Sequence, residues 1–284
     1  MITLILLFAA IGVVPLMLGL VLARRAPFLT SSRSIAGSVL ICTLAFNLTF
    51  FWQELWLVIP KAFAPGLHPI LFHNDHDWSG SAPIAELLQG SGAVATLVSG
   101  LGFSAALAKL RNIPGSWRLF FFWMAFEGLY QSLSQLAVGS LLPGNDVGRA
   151  LAFLNVGESG HIALLLLAVA GMAFAGLILA RLLPAEGGKG SAPPKTAIGV
   201  VVTSAVFAVI LIIPFRLPRN LIEAALIPLI VNVIGAGWIV LAAALLPAAS
   251  PGAKPMRAAM TGPALSLGIV LLVFQLILRR GISF

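Results

Sequence analysis

The chain has 284 residues, of which 60% are apolar and 9% charged, with a formal net charge of +8. Soluble domains carry about a quarter charged residues, so this composition excludes a soluble enzyme and a soluble binding module. Cys42 is the one cysteine, which excludes an intrachain disulfide, four-cysteine zinc sites and cysteine-held iron–sulfur clusters. The basic residues stand singly at the ends of apolar runs, where they anchor helices. No basic patch with interleaved aromatics supports nucleic-acid binding.

Apolar runs long enough to span a bilayer recur along the chain, and they predict an all-α polytopic membrane helical bundle of about eight transmembrane helices. The predicted spans are Ile2 to Ala23, Ile35 to Ile59, Ala85 to Ala108, Trp117 to Leu142, His161 to Leu183, Thr196 to Phe215, Leu221 to Leu246 and Ala264 to Leu278. The first lacks a basic n-region and is too long for a signal-peptide core, so it reads as a retained span. Residues 1–284 form a single transmembrane domain. Within it, PAEGGKGSAPPK at 184–195 reads as a flexible linker between the first five and last three spans.

Alternating spans place eleven Lys and Arg on one side (Arg24, Arg25, Arg33, Lys109, Arg111, Arg118, Arg181, Lys189, Lys195, Lys254, Arg257) and six on the other. The positive-inside rule then makes the linker cytoplasmic and both termini extracytoplasmic, with a bacterial inner membrane as the expected setting. Acidic residues and histidines show the opposite bias. His68, His73, His76 and His161 share the extracytoplasmic side with Glu54, Asp75, Asp77, Glu86, Asp146, Glu158 and Glu223, whereas Glu186 lies on the other side and Glu127 within a span.

Each polar group in turn suggests both a site and a plainer role. Glu54, in FFWQELWLVIPK, lies near the outer end of the second span. A carboxylate there costs roughly 3 kcal/mol unless it meets a partner or a wet cavity, the plain partners being Lys61 or Arg149. The connection from Pro60 to Pro83 shows no obvious secondary structure, and a loop of this length is often functional. Its FHNDHDW segment spaces His73 and His76 to bind one metal ion, with Asp75 and Asp77 as ligands or orienting groups; the alternative is a polar turn. It is expected to fold back over the outer mouth of the bundle. Glu127, Gln131 and Gln135 recur every four residues and form one helical stripe. The stripe must face protein or water, as a water path or as interhelical hydrogen bonds. Asp146 and Arg149 suit a local ion pair. Glu158 and His161 suit a helix N-terminus or an alternative pair of metal ligands.

The segment LLPGNDVGRAL at 141–151 resembles the aspartate signature of the site-2 protease family of intramembrane metallopeptidases. An earlier glutamate-bearing span and the Gly-rich GSGAVATLVSGLG segment follow the same order. The resemblance implies that Glu54 is the catalytic glutamate and Asp146 a zinc ligand. The family's HExxH motif is absent: its place reads QELWL, so Gln53 and Leu57 stand where histidines would. Zinc would then need His73, His76 and Asp146 as ligands, with Glu54 as general base acting on a membrane-embedded peptide or lipid. The competing expectation is a non-catalytic membrane protein, a transporter or an assembly or regulatory partner, whose polar cluster is structural. A haem carrier is disfavoured because all four histidines lie at or beyond span ends.

Overall fold

In a bilayer an apolar segment satisfies its backbone polar groups internally only as a helix or a closed barrel, and these segments are helical throughout. The computed structural model describes residues 2–22, 32–110, 113–183, 185–186, 195–246, 254–255 and 259–284. The first span comprises α1 (Ile2–Phe8), a π-helical stretch (Ala9–Val13) and α2 (Val14–Leu22). The widened turns precede Pro15, which donates no backbone hydrogen bond and whose ring crowds the carbonyl four residues back.

The long α3 (Ser32–Ala62) runs past Pro60, where the sequence predicts a stop. The Trp56 carbonyl, which Pro60 leaves without an i+4 donor, accepts instead from the Ser91 hydroxyl at 2.6 Å. After α4 (Ile84–Leu88) come α5 (Ser91–Lys109), α6 (Gly115–Gly139), the short α7 (Asp146–Phe153) and α8 (Glu158–Leu182). The last three spans are α9 (Lys195–Arg216), α10 (Leu221–Leu245) and α11 (Thr261–Leu276). Most of the 184–195 linker lies outside the described residues. Of it, β3 (Ala185–Glu186) pairs with β4 (Lys254–Pro255).

Among the described residues, seven helices are long and apolar enough to cross a membrane, and α6 is not among them. Its polarity has a structural reason: α6 is the central helix, packed against α3, α5, α8 and α10. Phe122, Trp123, Phe126, Glu127 and Tyr130 along it are fully buried. Gln131 donates to Glu127 Oε2 at 3.1 Å, and Gln135 donates to Gln53 Oε1 on α3 at 2.6 Å. The stripe therefore faces protein, and the interhelical contact joins α6 to α3. Trp123 and Tyr130 find partners in the Ser38 hydroxyl and the Met172 carbonyl. Against α5 the backbones touch: a Cβ added at Gly128 would lie 2.7 Å from the Gly100 backbone, the close approach that small residues permit between membrane helices.

The connection from Pro60 to Pro83 differs from its expected irregular form. It folds as a hairpin of β1 (Leu67–Leu71) and β2 (His76–Gly80), with β5 (Ile282–Ser283) on the other edge of β1. Its base needs glycine, because Gly80 has φ +98° and a Cβ there would strike the Gly66 carbonyl oxygen. Proline within β1 and the polar run of β2 obscure the alternation by which strands are read. The C-terminal strand ties the chain end to the same end of the bundle as the hairpin.

Candidate functional site

The hairpin, the connection between α6 and α8 and the turn between α9 and α10 meet at this end, and they bring Glu54, Asp75, His76, Asp146 and Glu223 together. Here α3 supplies Gln53 and Glu54, the turn before β2 supplies Asn74 and Asp75, and α7 supplies Asp146. With His76, these residues line one cavity of about 540 Å³. Its deeper wall is apolar: Leu7, Phe8 and Ile11 from the first span, Phe46 and Phe50 from α3, and Ile227, Ile230, Val231 and Ile234 from α10.

His76 is the hub of the polar wall. Its Nδ1 lies 2.8 Å from Glu54 Oε2 and its Nε2 lies 2.9 Å from Gln89 Oε1. Lys61 Nζ, which can only donate, approaches the same Gln89 oxygen at 3.2 Å and the Leu57 carbonyl at 2.7 Å. That fixes the amide with its oxygen toward both cations. Both ring nitrogens then face acceptors, the arrangement an imidazolium needs. Burial works against the charged ring, but the Glu54 hydrogen bond and charge outweigh it and hold the His76 pKa above its ordinary 6.5.

The hairpin is latched over the cavity by further charged contacts. Trp78 stacks on His76, and Lys61 and Arg149 lie over its ring, 4.6 and 5.0 Å from the ring centre. Arg149 in turn makes a two-pronged ion pair with Glu86, at 2.6 and 2.7 Å. Asp75 accepts from Arg219 at 2.5 Å, and Arg219 also reaches Glu223 at 3.6 Å. The Asn220 side chain caps α10 by accepting from the Glu223 amide, which positions Glu223 at the cavity rim.

Several expected partners are replaced. Glu54 pairs with His76 and not with Lys61 or Arg149, because the hairpin brings the ring between them. Arg149 pairs with Glu86 across to α4, so the local Asp146–Arg149 pair does not form. Asp146 instead starts α7 under an Asn145 cap. Burial raises its pKa above 3.8, opposed by the His76 charge and reinforced by Glu54.

His73 and His76 point apart. The His73 Nε2 lies 2.9 Å from the Leu217 carbonyl, and its ring packs at a tilt against Phe274. Burial lowers its pKa, which suits a neutral ring donating to that carbonyl. Asp77 is exposed and turns back to accept from the Trp78 amide. Glu158 is exposed, and His161 Nδ1 lies 3.1 Å from the Ser140 carbonyl, so this pair is not on the cavity wall. Glu127 lies deeper, bonded to Gln131. His68 is exposed on β1.

The residues present do not fit the zinc centre that the site-2 protease resemblance implies. Glu54 and Asp146 do share the cavity. However, Gln53 is bound to Gln135, Leu57 is 1% exposed, His73 is turned to Leu217, and both His76 nitrogens are engaged. Among the described residues no group of three or more His, Cys, Asp or Glu is placed to hold a metal ion.

Arg216 is the cavity residue least legible in the sequence, where it is one more arginine ending an apolar run. It is 3% exposed, its guanidinium lies 4.1 Å over the Phe50 ring, and its Nε and Nη1 have no hydrogen-bond partner. Gln131 Oε1 and Ser134 Oγ, on the same cavity wall, also lack partners. Neither the family models, the curated proteins nor the solved structures contain a match to this chain.

Proposed function

We propose that this chain is a polytopic membrane protein that binds an amphiphile, acting as a binding or transport component and not as a metal-dependent hydrolase. One observation carries the reading: the cavity joins an apolar wall to a rim of buried polar groups that lack partners. Its 540 Å³ falls within the roughly 300–1,000 Å³ of small-molecule sites. Buried polar atoms are nearly always hydrogen-bonded to protein or ordered water, and we assign the missing partner of these cavity-wall groups to the ligand's polar end. The resemblance to site-2 proteases supports a shared placing of Glu54 and Asp146 and no more.

The reading extends to topology. Eight crossings, with α6 as the eighth, put the cavity, the hairpin and both termini on the extracytoplasmic side. Cys42 is fully buried, so labelling of Ser79→Cys by an impermeant maleimide in intact cells, against silent Ser191→Cys, is the expected pattern.

Native mass spectrometry of the purified full chain tests the binding itself. An amphiphile retained at one per chain is expected, and its loss in Ile230→Trp, which fills the apolar wall. One zinc per chain that disappears in His76→Ala or Asp146→Ala would return the hydrolase reading.

A further inference from the structure

We infer that the ligand's polar end is an anionic oxygen group, a carboxylate or a phosphate, held by the Arg216 guanidinium. This rests on the amphiphile-binding reading and specifies it. Arg216 ends α9, and its own carbonyl is tied to the Asn74 side chain at 2.6 Å, so the helix end and the hairpin fix its place. The Phe50 face beneath the guanidinium offers no acceptor for Nε or Nη1.

The other charges that act on Arg216 are those of Glu54, Arg219, Glu223 and Asp75. Each of these carboxylates already has a different cation: Glu54 has His76, while Asp75 and Glu223 share Arg219. Asp146, the remaining carboxylate on the wall, forms no ion pair with Arg216. Arg216 is thus the cavity cation with no counter-ion within ion-pair distance among the described residues. Leaving the Nε and Nη1 of a buried guanidinium without acceptors is costly. A planar fork of N–H donors matches a carboxylate or phosphate better than any neutral head group. Ser134 Oγ, on the same wall, is a further hydroxyl without a partner, and the isoleucines of α10 line the path of the chain that follows.

The test uses the full chain in phosphatidylcholine nanodiscs, titrated with dodecanoate, dodecyl phosphate, dodecanol and dodecyltrimethylammonium. Dodecanoate, dodecyl phosphate or both are expected to bind roughly tenfold tighter than dodecanol, the size of a charge-assisted hydrogen bond. Which one leads distinguishes a fatty-acid source from a phospholipid-like one. Arg216→Gln should abolish the preference, bringing the anions down to the affinity of dodecanol, and Arg216→Lys should keep only part of it. Should Arg216→Gln fail to fold, Arg216→Lys still decides, because undiminished preference there contradicts recognition by the fork. Equal binding of dodecanol and the anions, competed away by Ile230→Trp, would overturn the head-group assignment and leave the cavity reading intact. Absence of binding by all four amphiphiles would overturn both.

Discussion

Replacing His76 by Phe keeps an aromatic ring against Trp78 but removes both nitrogens. The side chains of His76 and Glu54 are only 9% and 6% exposed, so the variant leaves the Glu54 carboxylate buried without its partner. Breaking a buried pair in this way costs about 3–5 kcal/mol. At about 2–4 °C per kcal/mol for a larger domain, the low end of that range lowers Tm by roughly 6–12 °C. Differential scanning fluorimetry in detergent is the assay. Because the folded-state pKa of His76 is raised above 6.5, the pair's stabilisation is fully present below about pH 6.5, the unfolded value. It is lost as pH rises through the raised folded value. The wild type should therefore lose Tm over that upper window, and the difference between its profile and that of His76→Phe should shrink. Glu54→Leu with His76→Phe should recover more than half of the loss, since no charge is then stranded. A His76→Phe Tm within about a degree of wild type at pH 6 would refute the buried ion pair, given the expected cost.

Other substitutions probe separate parts of the structure. Gly128→Leu should prevent assembly of α5 on α6, because even its Cβ would meet the Gly100 backbone at 2.7 Å; Gly102→Ala, where nothing lies within 4 Å, should change Tm little. Size-exclusion profiles of the two variants check this. Glu127→Gln should be near neutral because an amide still accepts from Gln131, whereas Glu127→Leu should cost about 1–3 kcal/mol by stranding that amide; thermal unfolding of both decides. Arg149→Ala breaks the Glu86 pair, whose side chains are 32% and 43% exposed. It should therefore cost only about 1 kcal/mol, ion pair and Trp78 stack together. Limited proteolysis should show the hairpin loosened while the bundle stays intact.

The helices were legible because a lipid-facing segment has only one way to satisfy its backbone, and span boundaries follow from where apolarity ends. The burial of α6 was legible too, since Glu127, Gln131 and Gln135 recur on one face and hydrocarbon cannot satisfy them. The hairpin was not, because Pro69 and the run from His73 to Asp77 hide a strand pattern that tertiary pairing with β5 completes. Within the site, the nearness of His76 to Glu54 was legible from their common side, but not the divergence of His73, which depends on Leu217 and Phe274 far along the chain. Arg216 gave no signal at all. Only its burial against Phe50, with acceptors absent, separates it from an ordinary helix-end anchor.

Photolabelling tests most directly whether the cavity takes an amphiphile. The full chain in nanodiscs is irradiated with a dodecyl probe carrying a diazirine at its tail, and adducts are mapped by peptide mass spectrometry. Adducts on Leu7, Phe8 and Ile11 and on the α10 segment from Ile227 to Ile234 are expected, suppressed by excess unlabelled amphiphile and by Ile230→Trp. Labelling confined to outward-facing residues such as Phe174 and Ile210, unaffected by competitor, would contradict the account.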